Sequence, residues 1–499
     1  ATTFYGDGSN LTGAGSTAFI RQSVTAQSGT TTINLNDGNV IYLTHSNNTT
    51  IAFSNVKTAD DVTIIRTLTD NTITWPSGIT WNGGSEPTLA SANDLYSKQA
   101  QVFNLITADG GTTWYGHEEA NSKQFQYMTM WGAGELFQYF NDSHPSAVRS
   151  SPVQIPGIWR NADSNNSPGH GGGVKSDGTL WVWGAGANGE LGLNDRTPTN
   201  SPKQVGSDTD WSTISCGDYR MFGLKTDGTL WAWGNNEIGA LGLNVEDAHK
   251  SSPVQIGSDT TWSYISCNNM TSLATKTDGT LWVWGYNQYG ELGLNAPENS
   301  HRSSPTQVPG TTWSSSYRGV QTGWGWGMAL KTDGTLWSWG QNRKGALGIN
   351  VSGADWGDSG GTRRSSPTQI PGTNWSQIRA ALYGGRAVKT DGTLWTWGDN
   401  IYGELGLNQG GDPGTLQSSP AQIPGTTWDS VGVGAIYTGF ATKTDGTLWA
   451  WGGNSDGASG VPSKGNSKFS SPTQVPGTWH KAATLNKSQL AIFWKAYDG

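Results

Sequence analysis

KTDGTLWAWG, running from Lys225 to Gly234, is the stretch whose reading decides the fold. Its Thr-Asp-Gly is a hairpin turn, in which the glycine supplies a positive φ. In TLWAWG the side chains alternate, so Trp231 and Trp233 share one face while Leu230 and Ala232 share the other. Apolar residues on both faces mean a strand buried on both sides, as a sheet stacked between two others requires. Upstream, WSTIS from Trp211 and MFGLK from Met221 to Lys225 read as a first and a second strand. Downstream, NNEIGALGLN is a long loop and PVQI a fourth strand.

The unit repeats. Near-copies of the decisive segment begin at Lys175, Lys225, Lys276, Lys331, Lys389 and Lys443, and their second tryptophans are Trp183, Trp233, Trp284, Trp339, Trp397 and Trp451. A degenerate copy, MTMWG ending at Gly132, sets Trp131 in the same series. A second series follows: Trp159, Trp211, Trp262, Trp313, Trp375, Trp428 and Trp479. Both series count seven, which predicts a seven-bladed β-propeller. The chain stops in LAIFWKAYDG, which reads as a second strand and its turn with no TLWxWG strand after it. The orphan strand at Met128 to Gly132 is expected to fill that gap, closing the ring with N- and C-terminal strands in one blade.

Composition narrows the function. Of 499 residues, 71 are Gly and 27 are Trp. Phe, Trp and Tyr together make 11% of the chain, too aromatic for disorder. With 30 Lys+Arg against 38 Asp+Glu there is no basic surface for nucleic acid. No apolar run is long enough for a membrane span. The start, ATTFYGDGSNLTGAGS, is polar without an apolar core, which argues against a secretory signal and fits loss of an initiator Met.

The pattern xLKTDGTLWxWGxNxxGxLGLN followed by SSPxQIPG resembles the regulator of chromosome condensation repeat family, over about residues 122–499. The family's eukaryotic founder is a chromatin-bound exchange factor for a small GTPase. This chain has no basic tail for chromatin. It departs from the family pattern in lacking the His that often precedes the second strand, where Met221, Leu273 and Met328 stand. The resemblance therefore implies the fold and not the exchange activity.

Residues 29–116 are of another texture, with short alternating runs broken by Asn-Asp-Gly, Ser-Asn-Asn and Asp-Gly-Gly, which read as a β-sandwich. TITWPSGITWNGGSEPTL and FNLITADGGTTWYG resemble a small β-module recurring in bacteriophage tail and fibre proteins, with Trp75, Pro76, Trp81, Pro87, Asp109, Gly110, Gly111, Trp114, Tyr115 and Gly116 as anchors. FYGDGSNLTG at residues 4–13 is similar to linkers of virion proteins. The expected organisation is all-β: an attachment arm at 1–28, a sandwich module at 29–121 and the propeller at 122–499.

Few residues suggest chemistry. GDSGG at Gly357 to Gly361 spells a serine protease nucleophile segment, but it lies in a loop insertion without the His and Asp such a site needs. Cys216 and Cys267, at matching positions of neighbouring repeats, read as two buried thiols. Asp7, Ser9 and Asn10, or Asp37 and Asn39, could bind calcium, though turn chemistry explains them more simply. No catalytic residue, metal site or cofactor is expected. The residues that break the repeat are more informative. Trp339 to Trp375 spans 36 positions where 28–31 is usual, with the surplus in VSGADWGDSGGTRR; the other surplus lies around QTGWGWG, and both emerge on one face of one blade. Tyr317, Arg318, Trp324, Trp326, Trp356, Arg363 and Arg364 gather there as candidate ligand-binding residues, with loop decoration or a subunit contact as the alternative.

From the phage-module resemblance, the expected role is a non-enzymatic bacteriophage virion surface protein, a capsid decoration or short appendage. Its partners would be other virion proteins, reached through the arm and sandwich, and its site the virion surface. A receptor-binding tail protein recognising a host surface glycan or protein and a polysaccharide-degrading enzyme are the alternatives; a homo-oligomer is left open.

Overall fold

In the repeat region the computed structural model describes residues 128–135, 148–165, 169–268, 270–316, 319–351, 362–409, 416–433, 437–454, 459–461, 468–477, 479, 481–482 and 490–496. Towards the N-terminus it describes 21–26, 29–36, 40–45, 49–56, 60–67, 73–76, 79–81, 100–107 and 114–118. The chain divides into two compact units, Ala1–Gln126 and Tyr127–Gly499.

The N-terminal unit corrects the sandwich expectation. Strands Arg21–Ala26, Val40–His45 and Asp60–Thr67 lie side by side and parallel in one sheet. Gly29–Asn34, Thr49–Ser54 and Ile73–Thr74 do the same in a second. The chain thus passes from one sheet to the other and back, winding in successive rungs rather than folding into antiparallel hairpins. Ala100–Thr107 then adds antiparallel to Asp60–Thr67. Alternating sequence marks which face is buried, and Ile33, Ile41, Leu43, Ile51, Val62, Ile64 and Leu105 do share a core. It does not say whether the next strand returns beside its predecessor or crosses to the opposite sheet, and parallel neighbours cannot be joined by a tight turn. Residues 1–20 of the expected arm lie outside the described residues, while Arg21–Ala26 is an ordinary strand of the larger sheet.

In the second unit the four-strand reading of the repeat holds. Trp211–Gly217, Arg220–Lys225, Leu230–Gly234 and Lys250–Gln255 form one sheet in that order. Four more sheets follow the same plan, starting at Trp262, Val320, Trp375 and Trp428. Among the described residues the ring has six sheets and not the expected seven blades. The reason is Val148–Asn165, an 18-residue strand. Its first part pairs with Met128–Glu135 and its second with His170–Lys175, so two repeats merge into one seven-stranded sheet. Counting tryptophans counts repeats, not sheets. Leu490–Ala496 pairs antiparallel with Met128–Glu135 in this closing sheet, Met128 opposite Ala496, so the two ends of the unit are stitched together.

Each motif of the repeat has a mechanical task. In TDGTLW, Asp227 Oδ1 accepts hydrogen bonds from the Thr229 amide (2.9 Å) and hydroxyl (2.7 Å), and Thr229 Oγ1 accepts one from Trp231 Nε1 at 2.9 Å. Lys225 lies between the rings of Trp211 and Trp231, its Nζ 5.0 and 4.9 Å from their centroids. LGLN clasps the next sheet: the amides of Asn194, Asn244, Asn295, Asn350 and Asn408 donate to carbonyls of Ser251, Ser303, Ser365, Ser418 and Ser470 at 2.6–2.7 Å. Trp233, Trp339 and Trp451 reach back the other way, each Nε1 donating to a Glu190, Glu291 or Glu404 carbonyl at 2.9 Å. A glycine must precede the clasp. A Cβ on Gly406, whose φ is +67°, would stand 2.8 Å from Trp451 Cδ1.

Candidate functional site

The first strands of neighbouring sheets are tied by polar side chains. Arg379 Nη1 donates to Gln321 Oε1 at 2.9 Å, and Asp163 Oδ2 accepts from the Cys216 amide at 2.9 Å and Ser215 Oγ at 3.3 Å. Burial pushes the Asp163 carboxyl up to about 6 against the pull of the Cys216 N–H and the Arg379 charge. Cys216 and Cys267 are buried free thiols, and burial lifts Cys267 to about 12, so neither is a ready nucleophile. His170, which the sequence reading overlooked, begins the second strand of the closing sheet. It is buried against the Arg220 carbonyl at 3.3 Å, and burial lowers its pKa to about 4.

The arrangement with the makings of a recognition site is a run of rings and cations across the third to sixth sheets. Two kinds of loop supply most of it: the hairpin between first and second strands, and the long loop after the third. Trp324, in such a hairpin, stands 5.9 Å from Tyr383 of the next hairpin and 6.4 Å from Tyr289 of the preceding long loop. The Arg343 guanidinium lies 4.3 Å from the Tyr383 ring centroid and donates to its hydroxyl at 2.7 Å. It is also 6.0 Å from the Trp324 ring. Arg363 covers Tyr289 at 4.8 Å and pairs with Glu298 at 2.7 Å. Further on, Tyr402 meets Tyr437 at 4.2 Å, with Lys468 4.6 Å from the Tyr402 ring. Trp324, Tyr289, Tyr383, Tyr402 and Tyr437 are all partly exposed.

Buried glutamates hold two of these tyrosines in place. The carboxylates of Glu291 and Glu404 accept the Tyr289 and Tyr402 amides at 2.5 and 2.6 Å, and burial raises both acids to about 7. Beside Tyr383 a small open cavity of about 20 Å³ is lined by Gly384, Arg386, Asp399, Glu404 and Tyr437.

Of the seven residues expected to bind ligand, Trp324 and Arg363 belong to this run. Trp326 does not. It is 1% exposed, sits in the core beside Met328 and Ile378, and donates from Nε1 to the Leu382 carbonyl at 3.2 Å. Gly325, at φ +72°, turns the chain between the two tryptophans so that only the first faces outward. Arg364 donates to the Arg363 carbonyl at 2.9 Å and pairs with Gly340 at the start of its strand. Tyr317, Arg318 and Trp356 lie outside the described residues, as do Gly357 to Gly361 and the calcium candidates Asp7, Ser9, Asn10, Asp37 and Asn39. Tyr289, Arg343, Tyr383 and Arg386 went unnoticed because each sits at an ordinary repeat position. Among the described residues no group of three or more His, Cys, Asp or Glu is placed to hold a metal ion, and no helix is long and apolar enough to cross a membrane.

Comparisons with known proteins agree on the repeat. The chain is 28% identical over 308 residues to the ultraviolet-B receptor UVR8 of Arabidopsis thaliana, covering 59% of this chain and 64% of the receptor. It is 28% identical over 304 residues to the mitochondrial RCC1 domain-containing protein RUG3 of the same plant, covering 58% of this chain and 65% of that one. In both the chain spans less than two thirds of the relative's length. The structure of Prp20p from Saccharomyces cerevisiae, described with its binding to Gsp1p and histones, superimposes with a TM-score of 0.60 at 16% identity, over 74% of this chain and 91% of the yeast chain, a likeness of fold alone. These relatives are cellular proteins: a plant photoreceptor, a mitochondrial protein and a yeast factor. They overturn the expected role as a bacteriophage virion protein, together with its virion partners and virion-surface location. With a receptor and, elsewhere, a ubiquitin-protein ligase among them, the relatives leave open whether this chain is an enzyme. The RCC1-like domain matches residues 179–492, well over half the chain, and its clasp and turn motifs are those that build the ring: the chain belongs to the RCC1-like domain family.

Proposed function

We propose that this propeller is a non-catalytic recognition platform that binds a polypeptide partner on the face carrying Tyr289, Trp324, Arg343 and Tyr383. The carrying observation is Arg343, held between the rings of Trp324 and Tyr383 by a 2.7 Å hydrogen bond. Trp, Tyr and Arg are the residues that dominate the energetics of protein interfaces: the rings bury much area at little cost in side-chain freedom, and the guanidinium adds directed hydrogen bonds and ring stacking. Here their freedom is already spent: the rings brace one another, and clasped loops hold their backbones. The described part of the face offers no nucleophile with a base beside it, which favours binding over catalysis. The binding of Prp20p to Gsp1p and histones supports a partner-binding role for the fold.

The test is cross-linking and affinity capture from the native cell with the parent protein and a Trp324→Ala/Arg343→Ala variant of equal thermal stability. Partners captured by the parent should be lost from the variant by about tenfold or more, as for a hot-spot pair. Equal recovery of the same partners would overturn the proposal.

A further inference from the structure

The pairing registers make one residue stand out. Gly172, Phe222, Leu273, Met328, Arg386 and Phe440 occupy the same place in the second strands, opposite Val182, Ala232, Val283, Ser338, Thr396 and Ala450. Five of the six are apolar or glycine, and the sixth is an arginine. Where Phe222 lies edge-on to Trp284 at 5.7 Å, Arg386 lies 5.9 Å from the Trp451 ring. Arg386 is 2% exposed, and only its Nη2 has a partner, the Glu404 carbonyl at 2.7 Å; Nε and Nη1 have none. A buried cation costs stability where a Phe or Met would have added it, so its presence calls for a use.

The cavity beside Tyr383 supplies one. Arg386 lines it with Asp399, Glu404, Tyr383 and Tyr437, and Glu404 Oε1 is likewise buried without a partner. Two residues of the lining thus carry buried polar atoms without a partner, beside a space sized for the head of one small polar group. Above pH 7, where Glu404 is ionised, a carboxylate entering would satisfy Arg386 but press against Asp399 and Glu404. An ammonium would satisfy the acids but meet the guanidinium. A carboxamide answers both, its C=O to Arg386 and its N–H₂ to Glu404. We infer that this cavity is a carboxamide subsite, which takes the side chain of an asparagine or glutamine on the partner. The inference rests on the recognition-platform reading, with Tyr383 as the wall common to both.

Acetamide and acetate are the probes, titrated at millimolar concentration and pH 8, where Glu404 is ionised, into the full chain carrying isotope-labelled arginine and tyrosine. The Arg386 Nε–H resonance, assigned by its loss in Arg386→Lys, should move saturably with acetamide and not with acetate. In Glu404→Gln the amide oxygen can keep the Tyr402 N–H while its NH₂ faces the cavity, so the acetamide-to-acetate preference should fall by about tenfold or invert. Arg386→Met, which copies Met328, should keep its melting temperature and lose the acetamide response of the Tyr437 ring. Preference for acetate in the parent would overturn the inference, and so would no response to either probe, which would leave a site for water alone. These outcomes are independent of partner capture: loss of partners in Trp324→Ala/Arg343→Ala with a silent cavity removes only the subsite.

Discussion

Trp324 and Trp326 are two residues apart and should behave as opposites. Trp326 is 1% exposed and its Nε1 holds the Leu382 carbonyl at 3.2 Å. A buried Trp side chain covers roughly 200 Å² of mostly apolar area, worth ~5 kcal/mol at 25 cal/mol/Å². Partial collapse of the cavity left by Trp326→Ala brings the expected cost to ~3–5 kcal/mol. At about 2.1 cal/mol/K per residue over the roughly 370 residues of the propeller unit, ~4 kcal/mol lowers the melting temperature by about 5 °C. Trp324→Ala removes a partly exposed ring whose neighbours, Tyr289 and Tyr383, remain braced by Arg363 and Arg343, so its cost should stay below ~1 kcal/mol, a shift of about 1 °C. Differential scanning calorimetry of the two variants, each next to the parent, measures both numbers. A Trp324→Ala variant that melts as low as Trp326→Ala would refute the division between an outward ring and a core ring. With it would go the reading of that face as a preformed surface.

Three further outcomes can be checked. Glu291 and Glu404 keep their protons up to about 7 in the folded chain while an unfolded glutamic acid loses its proton near 4.5, so their contribution to stability falls as pH rises between those values. The Glu291→Gln/Glu404→Gln variant should therefore gain on the parent, in melting temperature, from pH 5 to pH 8; a constant difference would refute the raised values. His170 has the opposite sign: it resists protonation down to about 4, so the parent should lose stability as pH falls from 6.5 to 4, and His170→Gln should flatten that limb in a urea titration. At the clasp, Gly406→Ala places a methyl 2.8 Å from Trp451 Cδ1 at a positive φ and should cost ~2 kcal/mol or more, whereas Gly206→Ala, at φ +58° with nothing within 4 Å, should cost about half that.

The propeller was legible because its information is local and repeated. TDGTLW carries its own turn and its own threonine cap, and each copy states the same two-sided burial. The merging of two repeats was not legible, since nothing in the text around Val148–Asn165 says that a strand runs on instead of breaking. Nor was the rung-like winding of Gly29–Ser54, where alternation specifies a face and leaves the route open. In the candidate site, insertion length led to Trp324 and Arg363, which lie among the rings of the proposed face. It misplaced Trp326, because a Trp-Gly-Trp run does not say which ring turns inward. Arg386 could have been found by aligning the copies at one strand position, where its charge breaks an apolar column. Tyr289, Arg343 and Tyr383 needed the ring itself, which alone brings a long loop of one sheet beside the hairpin of the next.

The seam between Met128–Glu135 and Leu490–Ala496 also imposes an order in time. A ribosome delivers Met128 long before Leu490, and until the later segment emerges the earlier strand has an open edge. Every other sheet can assemble from residues that leave the exit tunnel within seconds of one another, but this contact waits for the whole ring to be translated. Its large separation along the chain makes it a late closure. Premature termination between Val475 and Leu490 would thus release a product with five finished sheets and one adhesive border. A cell making this protein should be more sensitive to truncation there than to substitution.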